Sequence, residues 1–301
     1  MTGLVRSEVL RLRSRRIVWT LALLVVAGIA LATVLVAANS HGTTPAELAS
    51  GKAAYEQVLH RCESGGAFRP ANGQPLFCPA NIHLADFVPS GTFGLVLLPD
   101  VFQHTAFILI VIGLVIGASS IGADWQSGTM ATLLTWESRR TRLFTVRFLV
   151  VCAGVFALTL GLLAILSLLL AAVAVTRGTT AWLDAAWVRS SIAAALRIGA
   201  VTSLGAALGL SVSMIGRATG AALAGVFVYL AVFENLIRAL RSGTAPWLLG
   251  PNVVVFVIGK ATNPGTEQTL SVAHAVLVIA LYVAIPFAAA LAWFRARDVG
   301  S

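Results

Sequence analysis

The sequence predicts an all-α membrane protein that crosses the bilayer six times. Of its 301 residues, 58% are hydrophobic and only 11% are charged, whereas a soluble domain carries about 25% charged residues. So little charge cannot cover a water-exposed surface, which excludes a soluble globular protein. A spanning helix needs about 20 apolar residues, and six stretches supply them: 17–38, 99–122, 147–175, 190–214, 218–237 and 271–294.

The first span follows the basic stretch RSEVLRLRSRR. Its apolar run is longer than the 7–15 residues of a signal-peptide core, so we expect a retained helix. Basic residues collect on the cytoplasmic side of spans. With both termini cytoplasmic, more than half of the Lys and Arg residues fall on that side: Arg6, Arg11, Arg13, Arg15, Arg16, Arg139, Arg140, Arg142, Arg147, Arg217, Arg295 and Arg297. This topology accounts for the net charge of +9 without nucleic acid, since no soluble basic domain is available to bind it.

Two outer segments are more than linkers. Residues 39–98 form a polar loop large enough for a small extracytoplasmic cap, and they contain Cys62 and Cys78. In an oxidising compartment these two cysteines can form a disulfide; otherwise both are free thiols. Within the outer loop 238–270, residues 245–262 carry an apolar run too short to cross, which predicts a re-entrant or interfacial helix.

Charges inside the spans are sparse. Arg197 and Glu234 lie about equally far in sequence from the turn near Gly216 and Arg217. At 1.5 Å per residue, this places them at similar depth on antiparallel neighbours. The spacing predicts a buried ion pair that either locks the hairpin or lines a transport path. The small-residue spacings Gly113/Gly117 and Gly205/Gly209 predict close helix packing within the bundle.

The sequence lacks the motifs of nucleotide-binding and zinc sites. It contains neither the P-loop pattern GxxxxGK(S/T) nor the zinc motif HExxH, and its five histidines are scattered without metal-ligand spacing. We therefore expect no catalytic residues, no metal and no cofactor in this chain, and any ATP chemistry to belong to another subunit.

Residues 122–148, GADWQSGTMATLLTWESRRTRLFTVRF, interrupt two apolar stretches. Gly128 is expected to break the helix and Thr129 to cap a new one, in which Met130, Leu133 and Leu134 share one face. Such a short amphipathic helix can lie in lipid headgroups or dock in a groove on a cytosolic partner.

This stretch resembles the inner loop of ABC-2 type (type V) permeases, the membrane subunits of ABC exporters. Many of these read roughly E-(F/Y/W)-x-x-G-T-x-x-x-L-L-T-x-P-x-S-R, with a Lys seven residues later. The matching or conservatively substituted positions are Asp124, Trp125, Gly128, Thr129, Leu133, Leu134, Thr135, Arg140 and Arg147. The departures are Asp124 for Glu, Glu137 for Pro, Arg139 for Ser and Arg147 for Lys.

The resemblance covers the architecture as well, and it implies that residues 1–301 form a single ABC-2 type transmembrane domain. Residues 1–16, which contain Glu8, would be an interfacial elbow helix, and 123–146 a cytoplasmic coupling loop. The residues that would couple to a partner ATPase are Asp124, Trp125, Gly128, Thr129, Met130, Leu133, Leu134, Arg139 and Arg140. Arg139, Arg140 and Arg142 would pair with acids of the partner or with anionic lipid.

The function implied is a permease in the cell membrane that exports an amphipathic or hydrophobic cargo such as a lipid, peptide or drug. Two copies of an ABC ATP-binding subunit would bind ATP and Mg, and a second permease chain, identical or homologous, would complete the transporter. Two alternatives stay open. One is a non-transporting membrane sensor or immunity subunit of the same fold, and the other is an ion-coupled secondary transporter.

Overall fold

A computed structural model describes residues 2–40, 44–63, 84, 87, 93–136, 139–180, 183–262 and 269–296. These residues are almost entirely helical, and the strand pairing among them is confined to two isolated bridges, Gly94 with Thr179 and Thr262 with Leu270. The α-helices are α1 (Thr2–Ser14), α2 (Arg16–Asn39), α3 (Pro45–Glu63), α4 (Leu98–Gln126), α5 (Thr129–Trp136), α6 (Arg140–Arg177), α7 (Ala185–Gly216), α8 (Thr219–Val228), α9 (Glu234–Leu240), α10 (Leu249–Ile258) and α11 (Val272–Ala296).

The prediction of an all-α membrane protein with six spans is confirmed. Six helical segments of the described chain are long and apolar enough to cross a bilayer. Each overlaps one predicted stretch and extends beyond it: Arg16–Asn39, Leu95–Gln126, Arg140–Arg177, Ala185–Gly216, Thr219–Leu240 and Val272–Ala296. The largest extension is at α6, which begins at Arg140, so the predicted loop 123–146 contains the end of one spanning helix and the start of the next.

The fifth span is not a continuous α-helix. A π-helical segment, Tyr229–Phe233, separates α8 from α9. A π-bulge adds a residue to the helix and rotates everything after it relative to a regular α-helix. Glu234 is the first residue after this segment, so its direction does not follow from counting at 3.6 residues per turn.

Helices α4 and α7 approach each other closely through their glycines. A Cβ at Gly117 would overlap the carbonyl of Ala206 and come within 2.7 Å of its Cα, and one at Gly113 would lie 2.9 Å from the Thr202 Cγ2. The glycines of α7 meet α4 in the same way, Gly205 against Ile110 and Gly209 against Leu114 and Ala118. The predicted role of these spacings, packing within the bundle, is confirmed.

The predicted outer segments both contain helices. Within 39–98, α3 begins at a capping box: the Glu47 amide donates to Thr44 Oγ1 at 3.3 Å, and the Thr44 amide donates to Glu47 Oε2 at 2.8 Å. The predicted Cys62–Cys78 disulfide lies outside the described residues, because Cys78 and the side chain of Cys62 are not described. Within 245–262, the apolar run forms α10, which ends at Gly259 with a φ of +73°.

The chain divides into two compact units. The first contains Met1–Val25, Pro99–Ala164 and Ser190–Ser301, and the second contains Val26–Leu98 and Ile165–Arg189. In the second unit, the Arg177 guanidinium donates to the Ala37 carbonyl at 3.0 Å. The core of the first unit includes Ile116, Met130, Phe144, Leu210 and Phe294, and all the candidate functional residues described below lie in that unit.

Candidate functional site

A buried guanidinium joins the N-terminal helix to two spans. Arg147 of α6 is 2% exposed. Its Nε donates to Glu8 Oε2 at 2.9 Å and its Nη2 to Glu8 Oε1 at 3.3 Å, so it holds the α1 carboxylate in a two-point contact. Its Nη1 donates to Asp124 Oδ2 at 2.7 Å. Arg147 therefore links α1, α4 and α6 by charge-assisted hydrogen bonds, which are stronger than neutral ones.

Two more arginines surround the same carboxylates. Arg15, between α1 and α2, donates from Nη2 to Asp124 Oδ1 at 2.8 Å and from Nη1 to the Ser119 carbonyl at 2.7 Å. Burial lowers the pKa of the Arg15 guanidinium from its ordinary value, and the Asp124 carboxylate opposes this shift. Arg11 lies 3.5 Å from Asp124 Oδ2 and 3.8 Å from Glu8 Oε1. We call Glu8, Arg11, Arg15, Asp124 and Arg147 the charge cluster.

The charge cluster satisfies the condition under which buried charges persist. Glu8 and Asp124 are 5% and 8% exposed, and a carboxylate this deeply buried is costly unless it is paired and hydrogen-bonded. Each of the two accepts from Arg147, and Asp124 also accepts from Arg15. The folded position of α1 against α4 and α6 therefore depends on these pairings being complete.

Helix α5, the predicted coupling helix, begins immediately beside the charge cluster. Gly128 has a φ of +71°, a conformation that glycine adopts without steric cost, and it turns the chain out of α4. Thr129, the expected cap of α5, is the first residue of that helix. Its hydroxyl donates to the Asp124 carbonyl at 3.3 Å, one of the carbonyls at the end of α4 that have no partner within the helix.

The apolar face of α5 packs on its own bundle. Met130 is 3% exposed and belongs to the core that includes Ile116, Phe144 and Phe294, and the half-buried Leu133 packs against that core. Met130 was expected on a face offered to a partner, and the structure corrects this: the Met130 side chain is buried by the chain itself. The side chain of Leu134 is not among those described. On the other side of α5, Thr132 and Thr135 are exposed.

The remaining predicted coupling residues divide between anchoring and exposed positions. Trp125 is half-buried; its Nε1–H donates to the Met214 sulfur at 3.4 Å, and the Arg217 guanidinium lies 4.8 Å from its ring centroid, within the range of a cation–π contact. Arg140 donates to the Phe294 carbonyl near the end of α11 at 3.4 Å. Arg139 is exposed. Trp125 and Arg140 thus connect the two ends of the loop to α7 and α11.

We expect Met130→Ala to destabilise the bundle by about 2–5 kcal/mol, because it removes a buried side chain and leaves a cavity. SDS unfolding of the purified chain in mixed micelles, followed by circular dichroism, measures the loss. Thr132→Ala, on the exposed side of the same helix, is the control and should change stability by less than about 0.5 kcal/mol. Equal stability of the two variants would show that Met130 is not part of the core.

The predicted ion pair between Arg197 and Glu234 does not form. Glu234 Oε1 accepts from the Gly250 amide at 2.7 Å, at the N-terminus of α10. The Arg197 guanidinium lies against Gly259, the cap at the C-terminus of the same helix. Each charge therefore meets the end of α10 whose dipole it complements. A ten-residue helix is about 15 Å long, so α10 separates the two groups that equal depth had suggested would meet.

Within the described chain, no group of three or more His, Cys, Asp or Glu residues could hold a metal ion. A family described as a protein of unknown function, DUF2705, matches residues 82–300 of this chain. No curated protein matches it. The matched range contains Asp124, Arg147 and helices α4 to α11, whereas Glu8, Arg11 and Arg15 precede it.

Proposed function

The chain belongs to the DUF2705 family, a description that assigns no activity, and we propose from its geometry that it is the membrane permease subunit of an ABC-2 type (type V) exporter. The observation that carries the proposal is the charge cluster beside α5. Arg147 donates hydrogen bonds of 2.7–3.3 Å to both Glu8 and Asp124, and all three positions are singled out by the resemblance. Glu8 and Arg147 are 139 positions apart in the sequence, yet they belong to one buried cluster in the structure.

In this proposal, α1 is the interfacial elbow helix, α5 the cytoplasmic coupling helix and α10 the re-entrant segment, with both termini cytoplasmic in the cell membrane. ATP hydrolysed by two partner subunits moves α5. Because Asp124 precedes α5 and accepts from Arg147 of α6, which also donates to Glu8 of α1, a displacement of α5 pulls on three helices together. The ATPases bias the permease only through contacts that differ between its two states.

The partner contact on α5 differs from the one that the sequence suggested. Since Met130 is buried in the bundle, the surface left for an ATPase is the exposed side that carries Thr132 and Thr135, together with Arg139. A second permease chain would complete the transporter, and cargo with an amphipathic or hydrophobic character would pass between them.

The proposal is tested by co-expressing the chain with ABC ATPase subunits. We expect Thr132→Arg to reduce the recovered permease–ATPase complex at least tenfold, because a long charged side chain would occupy a packed interface. Pull-down and ATP-driven transport into inverted vesicles are the two measurements. Thr176→Arg places the same charge at an exposed threonine near the other end of α6 and is the matched control.

Thr132 is exposed, so its substitution should leave the melting temperature of the isolated permease unchanged, which separates lost docking from lost folding. Full complex formation and full transport by Thr132→Arg would refute the assignment of α5 as the coupling helix. Transport that proceeds without any ATPase subunit would refute the exporter itself.

A further inference from the structure

An apolar cavity of about 730 Å³ lies between the helices of the first unit. Its walls come from α4, α7, α8, α9, α10 and α11 and include Leu114, Leu204, Phe227 and Val254. The volume is within the range of about 300–1,000 Å³ that is typical of small-molecule sites. Such sites combine a mostly hydrophobic lining with a few polar groups that orient the ligand, and this cavity has that composition.

The charged groups in the described lining are Glu234 and Arg238. Glu234 is 3% exposed and is fixed in place by the Gly250 amide, which donates to Oε1. Its second oxygen, Oε2, is buried and has no hydrogen-bond partner among the described residues. A buried carboxylate oxygen without a donor is costly, and buried polar atoms of this kind are rare in folded proteins. Glu234, which lines the cavity, therefore carries an acceptor that lacks a donor.

Arg238 does not supply that donor. Its Nη2 lies 3.8 Å from Oε1, the oxygen already bound by Gly250, and this distance exceeds that of a hydrogen bond. The Arg238 side chain is 37% exposed, so its 3.8 Å contact with Glu234 contributes little and can be displaced. A ligand cation that displaces Arg238 from this carboxylate would form the hydrogen bond that Arg238 does not.

We propose that this cavity is a binding site for hydrophobic amines: molecules with a long apolar body and a protonated amino group that donates to Glu234 Oε2. The apolar walls take the body, and the single deeply buried carboxylate selects the cation. The site needs no ATPase to bind its ligand, so this inference stands or fails independently of the exporter proposed above.

The probe is dodecylamine that carries a diazirine on its chain, added to the full-length protein in phosphatidylcholine nanodiscs. We expect photolabelling to concentrate on peptides that contain Leu223–Ala231 and Leu249–Val254, the cavity segments. Unlabelled dodecylamine should compete about tenfold better than dodecanol, since the hydrogen bond from an ammonium to a carboxylate is assisted by both charges and is stronger than the one that a neutral hydroxyl donates. Labelling spread evenly over the lipid-facing helices, or equal competition by the two compounds, would overturn the proposal.

Glu234→Gln should abolish the preference for the amine over the alcohol while retaining the acceptor for the Gly250 amide. Asp100→Asn, which removes an exposed carboxylate outside the cavity lining, should keep the preference. Arg238→Gln removes the competing cation, so its affinity for dodecylamine should be unchanged or higher. Persistent selectivity in Glu234→Gln, or weaker amine binding in Arg238→Gln, would contradict the role of the carboxylate.

A second variant tests the location without altering charge. Val254 is 44% exposed and lines the cavity, so Val254→Trp should fold and reduce the labelling by dodecylamine several-fold by occupying the space. Undiminished labelling of this variant would show that the amine binds elsewhere.

Discussion

Arg147→Ala is expected to cost about 3–5 kcal/mol of folding stability, because it leaves two buried carboxylates, Glu8 and Asp124, without their shared cation. The side chain removed is 2% exposed and makes three hydrogen bonds of 2.7–3.3 Å. Unfolding in SDS mixed micelles, followed by tryptophan fluorescence, measures the change. Limited proteolysis should at the same time show earlier cleavage in α1, which loses its two-point contact with α6.

Two controls separate the buried charge from its side-chain volume. Arg139→Ala removes an exposed guanidinium from the same loop and should change stability by less than about 0.5 kcal/mol. The combined variant Glu8→Gln, Arg147→Met removes the buried Glu8–Arg147 pair and leaves Asp124 bound to Arg15, so it should recover most of the loss, since the cost arises from unpaired charge. A stable Arg147→Ala protein would mean that water or lipid headgroups reach the carboxylates and that the charge cluster does not hold α1.

The spans were predictable because their signal is local. Six apolar runs were enough to place six helices, and the glycine spacings at Gly113/Gly117 and Gly205/Gly209 correctly predicted close packing, since lipid gives each helix few other ways to bury backbone. The helix α3 also has a sequence signal: Thr44 and Glu47 form a capping box, and Pro45 occupies the first helical position. This signal indicates a helix within the 39–98 loop, which its polar composition alone does not.

The charge cluster was not predictable in the same way. Its longest link, between Glu8 and Arg147, joins residues 139 positions apart, and no periodicity in either segment indicates the other. The Arg197–Glu234 pair was predicted from the sequence but does not form, so counting residues can also predict a contact that is absent. Depth in the membrane follows from counting residues, but direction around the helix axis does not, and the π-segment Tyr229–Phe233 changes it immediately before Glu234. Only the placement of α10 shows which groups each charge meets.

The apolar stripe of α5 shows what an amphipathic pattern can predict and what it cannot. The pattern correctly predicts that Met130 and Leu133 avoid water, but it cannot distinguish burial in the chain's own bundle from burial in a partner. Met130 lies within the first core, so the question is settled by packing that depends on α4, α6, α7 and α11 together. Thr132, which is exposed and matches no specified position of the family pattern, becomes part of the partner surface in the proposed function.

Gly117→Leu is expected to be among the most damaging single substitutions in the chain. A Cβ at this position overlaps the Ala206 carbonyl and lies 2.7 Å from the Ala206 Cα, so the conflict is with backbone and no rotamer change can relieve it. Overpacking of a core usually costs about 1–3 kcal/mol, and separation of two spanning helices should exceed that range. Expression as a monodisperse peak in size-exclusion chromatography and the melting temperature in detergent are the measurements.

Gly161→Leu is the matched control, because a Cβ at Gly161 in the spanning helix α6 meets nothing within 4 Å. This variant should fold like the unchanged protein or gain up to about 1 kcal/mol, since glycine is a poor helix former. If both variants behave alike, the close contact between α4 and α7 is not a property of the folded chain. If Gly117→Leu alone fails, the two helices touch at that point. Backbone contact then limits the lateral motion of α4 against α7, so a cavity between these two helices cannot open at Gly117.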